Sequence, residues 1–360
     1  MNEQRTNKIL DHMKQKGVSS ILVSDPSSVF YLTGKWMHTG ERLLVLYLNS
    51  KGEHKLVNNE LFPLHDDLGL DIVWYDDTQD PVEKIALLVG EKDTIGIDKV
   101  WPSRFLLRLQ ELKSAATYVN GSSVVDAVRM RKDEAERARM RKASVLNDQS
   151  MGMMIPMVGT GQFSEKEMGQ KLATIYEDLG TEGFSFNPII GYGKNCADPH
   201  HEIDGSMVSE GDSVIIDIGC VKDSYCSDMT RTVFYKKVSQ KAKDVYALVR
   251  EANQKGIDTV KPGVRFCDVD NAAREHISTA GFGQYFTHRT GHSIGIDVHE
   301  HGDVSAANTD VLEEGMIFSV EPGIYIPGEF GVRIEDLVLV TDSGCEVLNS
   351  YDKSLTIIGD

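Results

Sequence analysis

The sequence predicts an α/β N-terminal domain followed by an α+β C-terminal domain, and three observations support that division. At 360 residues the chain is longer than one ordinary domain. Its first third alternates helix-like and strand-like segments, which is the order of helices packed against a sheet. The remainder interleaves helices with β-hairpins, as chains that form an antiparallel sheet do. We therefore predict domains at residues 1–125 and 126–360.

The N-terminal domain is predicted from hydrophobic patterning. Residues 3–16 have the spacing of an amphipathic helix, and short apolar runs have the composition of strands. The predicted strands cover residues 19–25, 42–48 and 93–98, and Tyr31–Gly34 is predicted to end an extended stretch. From Arg129 onward a run of Arg, Lys, Glu and Ala predicts a highly charged helix, so the domain boundary is placed just before it, near residue 125.

The C-terminal domain begins with that helix and continues with further helices and hairpins. Ser164 and Glu167 form a capping box that opens a second helix. Two more helices are predicted at residues 239–256 and 267–280. The predicted strands cover residues 213–219, 228–235, 316–320 and 332–341.

The composition indicates a globular protein that does not bind polyanions as its main role. Hydrophobic residues make up 41% of the chain and charged residues 26%, and both shares are ordinary. The formal charge of −17 argues against nucleic-acid and anionic-membrane binding. The N-terminal MNEQRTNKIL has no apolar signal-peptide core, and no apolar stretch is long enough to span a bilayer. We therefore expect a cytoplasmic protein.

The five cysteines are expected to be reduced and buried. Their number is odd, and they form no zinc-like CxxC pair. Cys220 and Cys226 flank a predicted turn, and a disulfide between them is the less favoured alternative for an intracellular protein.

One predicted hairpin brings two acidic residues together. VIIDI and DMTRTVFY are strand-like, and KDS between them is turn-like. Folding the strands back between Lys222 and Asp223 places Asp217 opposite Asp228, with Cβ atoms roughly 5 Å apart. Like charges so placed repel each other, so the pair needs a shared proton, a basic partner or a cation.

A second predicted hairpin repeats this arrangement. Folding residues 317–340 about Gly328 places Glu321 opposite Glu335. For either pair alone, acids that point to solvent are the favoured interpretation. Two such hairpins together favour a cation site, because burying four carboxylates without compensation costs several kcal/mol per ion. Two divalent cations neutralise four carboxylates, whereas one leaves half of the charge.

Histidines between the two hairpins extend the candidate site. Residues 287–303 contain His288, His292, His299 and His301, and one neutral imidazole added to the carboxylates gives a hard, oxygen-rich ligand set. Such ligands favour Mn²⁺, with Co²⁺, Fe²⁺ and Zn²⁺ as alternatives. For any single histidine, a half-buried side chain with a satisfied hydrogen bond is the competing interpretation.

Several motifs resemble those of the pita-bread metallopeptidases, in particular the Xaa-Pro dipeptidase (prolidase) and Xaa-Pro aminopeptidase branch. These motifs are ADPHH, DIGCVKDSYCSDMTRT, TGHSIGIDVHE, FSVEPGIY and GVRIED, and their order and spacing agree over residues 125–360. VFYLTG, GERLLVL and IGIDK also look like the N-terminal domain of this branch, which methionine aminopeptidases usually lack. The resemblance implies a pita-bread (creatinase/aminopeptidase-like) catalytic domain that follows a creatinase/prolidase-like domain.

The resemblance also implies a ligand set for two divalent metal ions. The implied ligands are Asp217, Asp228, His292, Glu321 and Glu335. In the family the second aspartate and the last glutamate bridge the two ions, which assigns the bridging role to Asp228 and Glu335. Because all five ligand types are present, a metal-free creatinase-like hydrolase and a catalytically silent binding protein on this fold are disfavoured.

Residues that act on the substrate are implied in the same way. Glu321 is expected to be the proton shuttle, and His200 and His299 match the family's substrate-binding histidines, so we assign these three as catalytic. Arg333 shares a strand face with Glu335 and is expected to pair with a carboxylate, either that of a ligand or that of a bound substrate.

The expected reaction is hydrolysis of the Xaa-Pro bond in a small peptide with proline in second position, and Xaa-Pro dipeptidase is the first assignment. After the HE pair the chain has His301, Gly302 and Asp303, where some prolidases carry an arginine. Xaa-Pro aminopeptidase activity on longer peptides therefore stays an alternative, as does the silent binding protein. A dinuclear phosphatase is disfavoured, because only Arg231 and Arg333 lie beside the motifs to bind an anion.

A homodimer is the expected assembly. Trp36 and His38 follow YLTG in a loop that, in relatives, approaches the active site of a neighbouring subunit. An ordinary surface loop is the alternative.

Overall fold

The computed structural model describes residues 1–112, 114–115 and 117–359. The chain divides into two compact units, Met1–Arg129 and Met130–Asp360. Residue 125, where the sequence analysis places the boundary, lies within a helix that ends beside this division. Over the described ranges, no helix has both the length and the apolar character needed to cross a bilayer.

The N-terminal unit is an α/β domain with one mixed sheet. Its described strands are β1 (Ser20–Val23), β2 (Val45–Asn49), β3 (Lys55–Asn59), β4 (Asp71–Tyr75), β5 (Thr94–Ile97) and β6 (Thr117–Asn120). Its described helices are α1 (Glu3–Gln15), α2 (Pro26–Thr33), α3 (Pro81–Ala86), α4 (Ser103–Glu111) and α5 (Ser122–Met130). The strand order is β4-β3-β2-β1-β5-β6, in which β1 pairs antiparallel with β2 and parallel with β5. The predicted α/β class of this domain is confirmed.

The extended stretch predicted to end at Tyr31–Gly34 is wrong, because these residues belong to α2 and its C-terminal cap. The Asp25 side chain accepts a hydrogen bond from the Ser28 backbone amide at the N-terminus of the helix, and Pro26 occupies the first turn. Gly34, with a φ of 72°, ends the helix in the left-handed conformation. The helix-start signal of Asp25 and Pro26 and the helix-end signal of Gly34 override the strand preference of the β-branched and aromatic residues between them.

The C-terminal unit combines helices with antiparallel sheets. Its described α-helices are α6 (Glu134–Gly159), α7 (Glu165–Asp178), α8 (Gln240–Thr259) and α9 (Phe266–Thr279), with short 3₁₀ helices at Gly193–Ala197 and Gly283–Tyr285. Its described strands are β7 (Ile189–Tyr192), β8 (Ser213–Ile218), β9 (Val221–Lys222), β10 (Tyr225–Cys226), β11 (Met229–Tyr235), β12 (Gly291–Ser293), β13 (Glu300–Val304), β14 (Ile317–Val320), β15 (Gly323–Ile326), β16 (Phe330–Arg333), β17 (Asp336–Val340), β18 (Cys345–Val347) and β19 (Ile357–Ile358). The predicted capping box at Ser164 and Glu167 is present, and the single strand predicted at residues 332–341 is two strands.

Each helix pair of this unit packs on its own set of strands. The strand orders are β19-β11-β8-β7 and β13-β12-β14-β17-β18, with β15 and β16 paired as a separate ribbon. Met151 and Leu172 of α6 and α7 share a buried cluster with Ile216. In a second cluster, helices α8 and α9 pack on Ile324 and Val332 of the ribbon. The strands are therefore held by apolar side chains on one face, and their other face is free to carry polar groups.

The first acidic hairpin has a register that differs from the prediction by two residues. Asp217 pairs with Thr230, so Asp228 is its diagonal neighbour and not its direct partner. The physical reason is the turn, which lies at Asp223 and Ser224. Both residues have positive φ (50° and 65°), as a two-residue type I′ turn requires. Because the shift is even, both aspartates stay on one strand face.

The second acidic hairpin has the predicted register. Val320 pairs with Asp336 on one side and Gly323 with Arg333 on the other, so the same register runs through the intervening Glu321 and Glu335. Gly328, at the predicted folding point, has a φ of 74° in the connecting loop. The side chains of Glu321 and Glu335 therefore leave the hairpin on the same face.

The described cysteines are all free, and four of the five are buried. Cys220 donates to the carbonyl of Ala143, while Cys226 donates to the carbonyl of Ile296, so the alternative disulfide between them is not formed. Burial raises the pKa of the Cys220 thiol to about 11, which keeps it protonated at neutral pH.

We expect Gly291→Ala to disturb the sheet that carries His292. A Cβ at position 291 would lie 1.8 Å from the backbone oxygen of Ser319, so β12 must move away from β14. The melting temperature should fall by about 5 °C or more. Gly344→Ala is the control, since a Cβ there meets nothing within 4 Å. Equal melting temperatures of the two variants in a calorimetric scan would contradict the close contact.

Candidate active site

A cavity of about 560 Å³ in the C-terminal unit collects every predicted site residue. Those that line it are His200, Asp217, Asp228, His292, His299, Glu321, Arg333 and Glu335. The predicted candidates thus come from four separate stretches of sequence and meet in one concave site. Such a convergence of titratable groups in a cavity is typical of an active site.

The strands position the four acids through their two-residue alternation. Asp217 is near the end of β8, and Asp228 directly precedes β11. Glu321 directly follows β14, and Glu335 directly precedes β17. Neighbouring residues of the same strands, such as Ile216, point into the apolar core. Alternate residues of one strand therefore supply the core and the cavity.

Three of the acids are buried and each has one carboxylate oxygen without a partner, while in two of them the other oxygen accepts a hydrogen bond. Arg333 Nη2 donates to Asp217 Oδ2 at 2.6 Å, and Thr230 Oγ1 donates to Glu335 Oε2 at 2.7 Å. The other oxygens, Asp217 Oδ1 and Glu335 Oε1, are buried and have no hydrogen-bond partner among the described residues, and the same holds for Asp228 Oδ1. A buried anionic oxygen without a donor is costly. These acceptors fit a cation.

His292 points a ring nitrogen at two of the carboxylates. Its Nδ1 lies 3.3 Å from the carbonyl oxygen of Ser293, which assigns the ring proton to Nδ1. Its Nε2 atom therefore carries a lone pair, and this atom lies 3.6 Å from Asp228 Oδ2 and 3.5 Å from Glu321 Oε1. These separations are longer than hydrogen bonds and are about those of ligands that share one ion at roughly 2.1 Å. Asp228, His292 and Glu335 together offer ligand atoms within 4.8 Å of one another.

Burial and mutual repulsion shift the titration of the cluster. Burial raises the pKa of Asp228 well above its usual range, and the charges of Asp217 and Glu321 raise it further. Burial and the charge of Asp228 raise the pKa of Glu335 in the same way. The pKa of Glu321 rises to about 7, chiefly through burial. Burial lowers the pKa of His292 to about 3, so its imidazole is neutral. The carboxylates are short of positive charge, which a cation would provide.

Arg333 is fully engaged inside the protein. It is buried, and besides Asp217 it donates to Thr230 Oγ1 at 3.1 Å and to the hydroxyl of Tyr325 at 2.8 Å. Its Nη1 also donates to the carbonyl of Pro199 at 3.3 Å. Arg333 is predicted to pair with the carboxylate of either a metal ligand or a bound substrate, and in the structure it pairs with the candidate ligand Asp217. Arg231 is likewise buried and pairs with Asp336 at 2.8 Å.

The two adjacent histidines of ADPHH have different surroundings. His200 is exposed at the cavity, whereas His201 Nε2 lies 2.6 Å from Glu165 Oε2. The buried Glu165 also accepts hydrogen bonds from the backbone of Tyr192 and the side chain of Asn195. Glu165, His201 and Asp204 form a second cluster of ligand types, but the Glu165 oxygens already have donors. This second cluster therefore lacks the unpartnered oxygens of the first.

Sequence reasoning missed two residues at the site, Tyr325 and Arg289. Tyr325 is buried, and its hydroxyl oxygen lies 2.8 Å from Arg333 Nη1 and 2.8 Å from His288 Nε2. Arg289, which follows His288, lines the cavity and is exposed. The alternation that places Arg333 with Glu335 also places Tyr325 on the cavity face of the ribbon, so that residue was predictable. No sequence signal separates Arg289 from a surface arginine.

Two family models match the chain. Residues 138–342 match the model of metallopeptidase family M24, and residues 5–131 match that of the creatinase/prolidase N-terminal domain. The first match includes all eight predicted site residues.

Individual proteins are similar over nearly the whole chain. The chain is 33% identical over 371 residues to a Bacillus subtilis (strain 168) protein named "Putative dipeptidase YkvY", covering 98% of this chain and 99% of the relative. Among solved structures, a recombinant prolidase from Thermococcus sibiricus is 34% identical with a TM-score of 0.91, covering 99% of this chain and 100% of that one. A dipeptidase from Pyrococcus horikoshii OT3 is 32% identical with a TM-score of 0.91, covering 98% and 100%.

The stability of the metal-free protein should depend on the charge of Glu321. Its pKa is raised from 4.5 to about 7, so the folded state binds a proton that the unfolded state has released. This contribution to stability is complete below pH 4.5 and is lost as the pH rises to about 7. With a chelator present, Glu321→Gln should therefore lose less in melting temperature than the wild type between pH 5 and pH 8.

The control for this comparison is Glu177→Gln, which removes an exposed carboxyl on α7. It should follow the wild-type pH dependence. The charge of Glu321 also raises the pKa values of Asp228 and Glu335, so removing it lowers both and acts in the same direction on the pH dependence. If Glu321→Gln and Glu177→Gln gave the same change between the two pH values, the raised pKa of Glu321 would be refuted.

Proposed function

Because the chain belongs to metallopeptidase family M24, with a creatinase/prolidase N-terminal domain ahead of a pita-bread catalytic domain, we propose that it is an Xaa-Pro dipeptidase that uses two divalent metal ions. The proposed substrate is a dipeptide with proline in second position, in line with the names of its dipeptidase and prolidase relatives. The proposal is carried by the buried carboxylate oxygens that face the cavity without a partner.

The proposed ligands are the five residues that resemble the family's ligands. They are Asp217, Asp228, His292, Glu321 and Glu335, and bridging is assigned to Asp228 and Glu335. Each of the unpartnered oxygens belongs to this set, and the neutral imidazole of His292 has a lone pair directed at it. Four carboxylates and one imidazole form a hard set that suits Mn²⁺, with Co²⁺, Zn²⁺ and Fe²⁺ as alternatives. Two dications match the charge of four carboxylates.

When bound, divalent ions supply Lewis-acid polarisation of a carbonyl and activation of water. Glu321 is the proposed proton shuttle. Ser319 Oγ donates to Glu321 Oε1 at 3.1 Å, and no described residue donates to Oε2, which is therefore available for proton transfer. Oε2 takes a proton from the attacking water and delivers it to the proline nitrogen. In an Xaa-Pro bond this nitrogen carries no hydrogen, so it must gain one to leave.

His200 and His299 are the proposed contacts to the substrate. Both are exposed and line the cavity. Partial desolvation by the cavity walls and the charge of Arg289 lower the pKa of His299, so this ring is neutral at pH 7 and donates through one N–H to the oxygen of the attacked carbonyl. Arg333 is proposed to hold Asp217 in position, since its hydrogen bonds are all made within the protein.

The cavity also has an apolar lining that suits proline. Phe186, Ile189, Pro199 and Val298 line it together with the polar residues. A pyrrolidine ring has no N–H to satisfy and buries well against such side chains. This supports proline, rather than a polar residue, beside the scissile bond.

Xaa-Pro aminopeptidase activity on longer peptides is the second candidate. It is favoured by the segment after Glu300, which contains Asp303 and no arginine. Asp303 lies opposite His292 in the register of β12 and β13. An anionic residue there gives no support to a free carboxylate.

A cytoplasmic homodimer remains part of the proposal. The free cysteines are in line with a reducing compartment. Trp36 stacks between Phe30 and His38, with ring centroids 4.5 Å and 5.9 Å away, and is still 38% exposed. A rigid, exposed aromatic residue of this kind suits a contact with a second subunit.

The function is tested by hydrolysis of Ala-Pro after addition of Mn²⁺, with Co²⁺ and Zn²⁺ in parallel. We expect turnover by the wild type and a loss of roughly a hundredfold or more in Asp228→Asn, which removes a bridging charge. Asp204→Asn is the control, because it changes an exposed acid of the second cluster. Metal content after dialysis should fall in Asp228→Asn only. Full activity of that variant with Mn²⁺ would contradict the bridging assignment.

His299→Ala separates a substrate contact from a metal ligand. We expect turnover to fall by about tenfold or more while the metal content measured by mass spectrometry stays at the wild-type value. His301→Ala is the matched control, since His301 is exposed two residues away and does not line the cavity. Loss of metal from His299→Ala would show that this histidine, and not His292 alone, is a ligand.

A further inference from the structure

We infer that Arg289 binds the free C-terminal carboxylate of the substrate and thereby selects Xaa-Pro dipeptides over longer peptides. This inference rests on the proposed function and names the residue that sets its substrate class. Neither the resemblance nor the motif after the HE pair assigns this role to Arg289.

Arg289 is the cation of the cavity that has no partner. It is exposed and lines the cavity with the candidate ligands. Among the described residues, none forms a hydrogen bond or an ion pair with its guanidinium, whereas Arg333 donates to four acceptors within the protein. A guanidinium presents a planar set of donors that matches a carboxylate in a bidentate pair. Of the two arginines that line the cavity, only Arg289 can pair with a substrate without breaking existing bonds.

The backbone on both sides of Arg289 is held in place. Arg274 Nη2 donates to the carbonyl of His288 at 2.8 Å, and the same guanidinium is paired with the buried Asp270. Asp270 in turn accepts hydrogen bonds from the backbone and the hydroxyl of Thr290, at 3.2 Å and 2.6 Å. The Arg289 Cα is thus fixed while its side chain remains free. Fixing the anchor in advance lowers the entropy lost when the carboxylate binds.

Arg289 lies where a substrate carboxylate can meet it, because it lines the cavity together with His292 and His299. In an Xaa-Pro dipeptide the free carboxylate is one residue from the scissile carbonyl, a distance of roughly 3.8 Å between Cα atoms. A recognising cation must therefore line the same cavity as the ligands, as Arg289 does. In a longer peptide the same position is a neutral amide, which gains no ion pair.

The other residues near the cavity are less suited than Arg289 to bind the substrate carboxylate. His299 is the proposed contact to the attacked carbonyl, and the two ring nitrogens of His288 lie within hydrogen-bond distance of the Arg289 carbonyl and the Tyr325 hydroxyl. The segment 301–303 after Glu300 contains no lysine or arginine, and neither His301 nor Asp303 lines the cavity. The other cation at the cavity, Arg333, is held by Asp217.

The test compares Ala-Pro with its amide, Ala-Pro-NH₂, in the presence of Mn²⁺. The wild type should cleave the acid with a kcat/KM at least tenfold above that of the amide, since a charged hydrogen bond is lost in the amide. Arg289→Gln should raise KM for the acid about tenfold or more and should lose much less on the amide, so that the acid-to-amide ratio approaches one. Arg289→Lys should restore part of the ratio.

A binding measurement supports the kinetic one and does not depend on turnover. The probe is a reduced analogue of Ala-Pro in which a methylene replaces the scissile carbonyl, titrated calorimetrically into the metal-loaded protein. Its affinity should fall by about tenfold in Arg289→Gln. Arg250→Gln is the matched control, because it removes an exposed arginine on α8 that does not line the cavity. It should match the wild type in both measurements.

The possible failures are distinguishable. If the wild type cleaves Ala-Pro but Arg289→Gln keeps the wild-type acid-to-amide ratio and analogue affinity, the role of Arg289 is refuted and the proposed function stands. Equal losses on the acid and the amide also refute it, because the residue then acts in general on the site. If the wild type cleaves neither Ala-Pro nor Ala-Pro-Ala with any of the ions, the proposed function fails and this inference fails with it.

Discussion

The catalytic unit depends on the repulsion among four carboxylates that two hairpins hold at one cavity. Arg333 offsets the charge of Asp217, and Thr230 provides one hydrogen bond to Glu335. Ser319 provides one hydrogen bond to Glu321. Asp217 Oδ1, Asp228 Oδ1 and Glu335 Oε1 have no donor among the described residues, and burial together with the neighbouring charges raises the pKa values of Asp228 and Glu335. A fold keeps such an arrangement only when the surrounding packing is strong enough to hold it and a bound cation relieves it.

That packing comes from the same strands that carry the acids. Ile216 and Ile218 flank Asp217, and they lie in the core formed with α6 and α7. Ile334 flanks Glu335 in the same way and packs in the core formed with α8 and α9. A strand held on its apolar face cannot rotate or slip by one residue without exposing that face, so the acids cannot move away from one another. The apolar core therefore supplies the constraint that holds the acids of the candidate cation site together.

Much of this site could be predicted from the sequence, because period-two alternation fixes which strand residues share a face. The Glu321 and Glu335 register followed from the glycine at the folding point. The first hairpin was displaced by two residues because Asp223 and Ser224 both adopt positive φ, which nothing in their identity demands. Helix α2 departs from the predicted extended stretch because the Asp25 and Gly34 caps override the strand preference of the β-branched and aromatic residues between them. Local turn and cap chemistry decided both cases.

The sequence does not show which charged side chains are paired with one another in the folded protein and which are left unpaired. Arg231, Arg289 and Arg333 cannot be told apart from the sequence, and Arg289 directly precedes the motif TGHSIGIDVHE, so the expectation that only Arg231 and Arg333 lie beside the motifs is wrong. Arg231 forms an ion pair with Asp336, and Arg333 forms one with Asp217. Both pairs join residues that are far apart in the sequence, so only the folded chain defines them. An arginine that is already paired contributes to structure, and its guanidinium is no longer available to a ligand without the cost of leaving a buried carboxylate alone. Among the described residues that line the cavity, the arginine left without a partner is Arg289, on the segment that Asp270 and Arg274 hold beside His292, and the anion recognition that we propose follows from this state.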